Sequence, residues 1–134
     1  MQAGYQVSKT IYRLDGSLAD LGSFRQGDRV VVVLSGQPEG ARNFPTVVVD
    51  LLPAGLEIET LLNPSDGAQG QSYDGTVRNG PFSWIGAITY TQVQEMRDDR
   101  YVASANLRGQ FRYAYIARAV TPGRYTMPAA QVED

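Results

Sequence analysis

Apolar and polar residues alternate with a period of two along much of the chain, the spacing of side chains on opposite faces of a strand. In the segment 110–120, Phe111, Tyr113, Tyr115, Ala117 and Ala119 share one face, while Arg112, Ala114, Ile116 and Arg118 share the other. Tyr101, Ala103, Ala105 and Leu107 line a single face of 101–107 in the same way. The short link Arg108-Gly109 between them predicts that 101–107 and 110–120 form a hairpin. Leu56, Ile58 and Thr60 alternate with Glu57 and Glu59, a strand with one face in water. The run Val30 to Leu34 is apolar at every position and valine at all but the last. Such a run fits a strand covered on both faces, or by core on one face and a neighbouring domain on the other.

The remaining segments follow the same vocabulary. Tyr5 to Leu14 reads as an edge strand on which Lys9 and Arg13 discourage pairing with a stranger. Thr46 to Leu52 is a further strand, stopped by Pro53-Ala54-Gly55, and Arg124 to Met127 is a last one, ended by Pro128. Turns are expected at Asp15-Gly16-Ser17, Gln26-Gly27-Asp28, 35–43 and Thr121-Pro122-Gly123. Residues Asn63 to Gly80 carry little that can form a core and read as a long mobile loop. Phe82, Trp84 and Ile85 are either core anchors or caps on one end of the fold, and Thr89 to Met96 fits a strand or one helical turn. No 3.6-residue period and no internal repeat are present. Seven or eight strands in one domain spanning 1–134, with a loop at about 63–80, predict an all-β antiparallel sandwich of immunoglobulin or fibronectin type III kind. Tyr113 or Tyr115 is the candidate for the corner hydrogen bond typical of such folds.

Composition narrows the chemistry. At 134 residues the chain can bury a sizeable core. It has no cysteine and no histidine, which removes disulfides, thiolate nucleophiles, the commonest metal ligand and the usual general base. A net charge of −2 offers no field for gathering a phosphate backbone, which argues against nucleic acid as a partner. No apolar run is long enough to cross a bilayer, so this chain is not expected to insert into a membrane. The N-terminus lacks a signal-peptide pattern, so an export signal of any parent is expected outside the chain. Glu57 and Glu59 share one face of a strand and face solvent, and Asp98-Asp99 is neutralised by Arg97 and Arg100 in a charged turn. A solvated face is the plainer reading than a glycosidase-type acid/base pair, which would also need a cleft built around it. Calcium-ligand spacing and a phosphate-binding loop are absent as well, so the expectation is a non-enzyme with no catalytic residue, cofactor or metal. Binding is then the default. One candidate surface is the arginine face of 110–120, where Arg112 and Arg118 either pair with a partner's carboxylates or lie along the sheet. The other is the end holding Trp84, Tyr90, Met96 and the 97–100 turn, where interface and core readings compete.

Longer strings add to this. Val48 to Glu59 (Val-Val-Asp-Leu-Leu-Pro-Ala-Gly-Leu-Glu-Ile-Glu), Arg97 to Ala103 (Arg-Asp-Asp-Arg-Tyr-Val-Ala), and Phe111 to Gly123 followed by Val132-Glu133-Asp134 occur in that order. With Tyr12 to Gly16 and Gln26 to Arg29 before them, they resemble the C-terminal macroglobulin-like domain of bacterial alpha-2-macroglobulins over essentially the whole chain. The resemblance implies one piece of a much larger protease trap. There a protease cuts a bait segment, the shell rearranges, and a thioester in a separate helical domain captures the attacker. A thioester needs a cysteine and a glutamine, so this chain, without cysteine, is not the reactive part. Its implied partners are the other domains of the parent, above all the thioester domain that it helps to shield, and through the parent the target proteases. The contacting patch expected on it is Tyr90, Met96, Arg97, Asp98, Asp99 and Arg100. Such parents are expected in the periplasm, some held to the inner membrane by an N-terminal lipid. A structural or adhesive module of a bacterial surface protein is the alternative. An upstream Cys–Gln thioester string favours the trap, and tandem copies of the domain favour the spacer.

Overall fold

The structure, a computed structural model, describes residues 5–38, 44–67, 80–91, 93–97, 99–107 and 109–133. Among them run β1 (Tyr5–Tyr12), β2 (Arg29–Pro38), β3 (Phe44–Leu51), β4 (Leu56–Leu61), β5 (Val93–Arg97), β6 (Arg100–Leu107), β7 (Phe111–Ala119) and β8 (Gln131–Glu133). They form two four-stranded antiparallel sheets, ordered β1-β2-β7-β4 and β5-β6-β3-β8. The sheets face each other as a sandwich, the fold class the alternation predicts. No helix among the described residues is long and apolar enough to cross a membrane.

The inward rows meet in one core. Val30, Val32 and Leu34 of β2 and Phe111, Tyr113, Tyr115, Ala117 and Ala119 of β7 pack against Val48 of β3 and Tyr101 and Ala103 of β6. Burying each large side chain is worth about 1.5–3 kcal/mol before chain entropy is counted. The valine run is covered on both faces, and its second cover comes from the chain itself. Val31, Val33, Ala114 and Ile116 lie beneath Ile85 and Ile88, with Phe82, Trp84 and Tyr12 packed around them. The outer face of the other sheet has no such lid among the described residues. Register places Val47, Val49 and Leu51 beside Ser104, Val102 and Arg100 there, and Leu51 is exposed.

Several expectations need correction. Residues 101–107 and 111–119 are not a hairpin: β6 pairs with β3 and β5, whereas β7 pairs with β2 and β4. The chain crosses from one sheet to the other at Gly109-Gln110, because both inward rows face the same core from opposite sides. The corner hydrogen bond belongs to Tyr125, whose hydroxyl donates to the carbonyls of Thr121 (2.5 Å) and Gly55 (3.1 Å), and not to Tyr113 or Tyr115. Residues 124–127 do not form a strand; the last one is β8, on the edge beside β3. Lys9 lies on an edge strand as expected but turns into the sandwich, with its side chain only 9% exposed. Of the undecided segment 89–96, the part from Val93 onward belongs to the strand β5, and residues 89–91 precede it without strand structure. Of the loop expected at 63–80, Pro64–Asp66 is one turn of 3-10 helix, and 68–79 lie outside the described residues.

Candidate protein-interaction site

The patch expected from the sequence centres on the β5–β6 turn. Met96 sits opposite Tyr101 and Arg97 opposite Arg100, so the two strands close on a charged tip. Arg100 donates from Nε to Asp99 Oδ1 at 3.0 Å and from Nη2 to Oδ2 at 3.1 Å, a two-pronged pair. The Asp99 carboxylate, through those bonds and its charge, holds the Arg100 pKa above the usual guanidinium range. The Leu52 amide donates to the Asp99 carbonyl at 2.9 Å, which docks the turn on the end of β3. Met96 shares the inward row with the buried Tyr101, yet at the sheet edge it stays 54% exposed.

Tyr90 enters ahead of the other end of β5 and is 73% exposed. Its backbone is held immediately upstream, where the Thr89 amide donates to the Arg112 carbonyl and the Arg112 amide to Thr89 Oγ1, both at 2.8 Å. The ring is thus presented to solvent from an anchored segment. Met96, Asp99 and Arg100 come together at the turn, with Tyr90 beyond the far end of the same edge strand. For Arg97 only the strand backbone is described, and Asp98 lies outside the described residues. Trp84 belongs elsewhere: its ring meets Tyr12 edge-on at 5.0 Å, and its indole N–H donates to the Leu14 carbonyl at 3.2 Å.

Behind this edge lies a buried polar cluster that sequence reasoning missed. Lys9 Nζ donates to Asp50 Oδ1 and to the Pro128 carbonyl, each at 2.8 Å. The Tyr115 hydroxyl donates to the other Asp50 oxygen at 2.5 Å, and the Tyr115 ring stacks on Tyr101 at 5.0 Å. Lys9 and Tyr115 belong to one sheet and Asp50 to the other, so the cluster ties the two layers together. Asp50 has no solvent exposure, and burial pushes its pKa up against the opposing pull of Lys9 and Tyr115. Burial raises the Tyr115 hydroxyl further still, and the adjacent Asp50 charge adds to it. The groups satisfy one another inside the core, an arrangement suited to fixing sheet geometry. A signal for it exists in the sequence. Lys9 falls in the row Val7-Lys9-Ile11, and Asp50 in the row Thr46-Val48-Asp50, each polar residue sharing the face of buried neighbours.

The sandwich spends its described buried charges on joining its own layers, and leaves Tyr90 and Met96 exposed along one edge. The chain belongs to the family described as the bacterial alpha-2-macroglobulin MG10 domain, which matches residues 4–134. It is 36% identical over 133 residues to the alpha-2-macroglobulin of Escherichia coli (strain K12), covering 96% of this chain and 8% of that protein. Identity to the alpha-2-macroglobulin of Xylella fastidiosa (strain Temecula1 / ATCC 700964) is 38% over 131 residues, with the same coverage of 96% and 8%. The native conformation of E. coli alpha-2-macroglobulin superposes with a TM-score of 0.74 at 32% identity, over 99% of this chain and 8% of that one. The chain therefore spans about one twelfth of the length of these relatives, which are far larger proteins.

Proposed function

We propose that the chain is the non-catalytic C-terminal domain of a protease trap, packing against the thioester domain and keeping water from its acyl bond until activation. The contact patch is Tyr90, Met96, Arg97, Asp98, Asp99 and Arg100. The observation that carries this reading is the exposure of Tyr90 (73%) and Met96 (54%) along one edge of a fold whose other aromatic rings are largely engaged in its own packing. Each offers about 1.5–3 kcal/mol on burial against a neighbour, and a rim of paired charge at Asp99 and Arg100 suits the border of such a contact. Shielding an acyl bond is a matter of excluding water, and a sandwich whose two sheets are tied by the Lys9–Asp50–Tyr115 cluster supplies a firm wall. The parent acts in the periplasm, and proteases meet this domain only as part of it.

The test is made in the full-length parent. Tyr90→Ala, Met96→Ala and Arg100→Ala, singly and together, are expected to increase the rate at which methylamine consumes the thioester of the uncleaved protein. An unchanged rate in the triple variant refutes the assignment.

A further inference from the structure

We propose that a groove under Trp84, on the outer face of β1-β2-β7-β4, receives a carboxylate from an Asp or Glu side chain of a neighbouring domain in the parent chain. The choice of a neighbouring domain rests on the packing role above; the carboxylate chemistry stands on the groove alone. The groove has a volume of about 460 Å³ and is lined by Thr10, Tyr12, Ser35, Trp84, Gly86 and Arg112 among others. Arg112 is its only charged lining residue.

The Arg112 guanidinium is half-buried and held by neutral acceptors. Nη1 donates to the Ile85 carbonyl at 2.9 Å, and Nε reaches Ser35 Oγ at a long 3.5 Å. The ion pairs among the described residues lie elsewhere, at Lys9–Asp50, Arg29–Glu59 and Arg100–Asp99, so no described carboxylate neutralises Arg112. Taking a charge out of water without a counter-charge is costly, and an arriving anion recovers that cost. Guanidinium carries five N–H donors in a fixed fork, and among the described residues its bonds leave from Nε and Nη1, with the Nη2 edge turned to none of them. The backbone is shaped around this group. Gly86 adopts φ +90°, and a Cβ at that position would lie 2.5 Å from Arg112 Nη1.

The walls are equally fixed. The Tyr12–Trp84 pair is edge-on at an interplanar angle of 64°, and the indole bond to Leu14 sets the Trp84 ring. Thr10 and Ser35 add hydroxyls on the neighbouring strands. A single positive charge among neutral donors matches a monoanion and falls short of a phosphate dianion. The groove also adjoins the proposed patch, since the Arg112 backbone is bonded to Thr89, the residue before Tyr90.

Trp84 is the only tryptophan, so its emission reports on the groove directly. The 134-residue chain is titrated with N-acetyl-glutamate N-methylamide and with its neutral glutamine counterpart. The glutamate probe is expected to give a saturable change with a midpoint about tenfold lower than the glutamine probe, the margin of one charge-assisted hydrogen bond. Arg112→Gln is expected to remove that difference. Equal midpoints for the two probes, absence of saturation, or an undiminished glutamate preference in Arg112→Gln overturns the proposal. If Arg112→Gln does not fold, the two-probe comparison on the unaltered chain decides alone. No thioester domain is present in this titration, so its failure is distinct from failure of the methylamine test.

Discussion

Lys9→Met isolates the buried cluster that joins the sheets. The variant keeps the methylene stem in the core but leaves the Asp50 carboxylate, at 0% exposure, with the Tyr115 hydroxyl and no cation. Removing one partner of a buried ion pair costs about 3–5 kcal/mol, because the orphaned charge stays out of water. For a chain of this length that is a fall in Tm on the order of 10–20 °C. The loss depends on pH with a definite sign. The native pKa of Asp50 already lies above its ordinary value of 3.8, and Lys9 is among the influences holding it down. Without Lys9 it rises further, so the native state binds that proton more tightly than the unfolded chain does. The stabilisation this gives is complete below the ordinary aspartate pKa and is lost as pH climbs through the native value. The penalty of Lys9→Met is therefore smaller at about pH 4 than at neutrality. Urea unfolding, followed by far-UV circular dichroism at both pH values, measures it. Adding Asp50→Leu and Tyr115→Phe to Lys9→Met is expected to restore much of the loss, since an apolar set of similar volume no longer strands a charge. A penalty below about 1 kcal/mol at neutral pH, or one equal at both pH values, refutes the reasoning.

Tyr125→Phe removes the corner hydroxyl from the Thr121 and Gly55 carbonyls and is expected to cost about 1–2 kcal/mol, read as a lower urea midpoint at unchanged slope. In Gly36→Ala the new Cβ would stand 2.2 Å from the ring of Phe111, itself 2% exposed. That ring cannot retreat within a packed core, so a loss of about 1–3 kcal/mol or more is expected in thermal unfolding. Tyr90→Ala and Met96→Ala, in contrast, should leave the stability of this chain within about 0.5 kcal/mol, measured the same way. Any effect they have in the parent then reports a lost contact and not a damaged domain.

Alternation identified the faces of the strands well and their partners poorly, for a physical reason. Period two records which side chains point at the core; it holds no information on which layer of a sandwich a strand joins. Tyr101 to Leu107 and Phe111 to Ala119 show equally clean inward rows, and a Gly-containing link suits a crossing between layers as well as a tight turn. The both-faces-buried reading of Val30 to Leu34 held because five adjacent apolar residues leave no face for water. What covers the second face, residues 82–88, was not legible, since Phe82, Trp84 and Ile85 are compatible with several positions. Lys9 reads from its charge as a guard on an edge strand, and only its row neighbours Val7 and Ile11, which point inward, mark it as buried. A buried lysine requires a carboxylate opposite, and that partner is Asp50, 41 residues away along the chain. Met96 beside the charged 97–100 turn is exposed, and so is Tyr90 at the other end of β5, although interface and core readings of both are open in the sequence.

The order of strands has a consequence for biosynthesis. β2 needs β7, β3 needs β6 and β8, β4 needs β7, and β5 needs β6, so among the described strands β1–β2 is the only pair complete before residue 100. A ribosome producing this segment releases most of the valine-rich strands well ahead of the strands that will cover them. Such long-range closure is slow and leaves sticky edges open meanwhile. The domain completes itself only when its final quarter emerges, which makes nascent chains halted before that point the natural clients of a holdase.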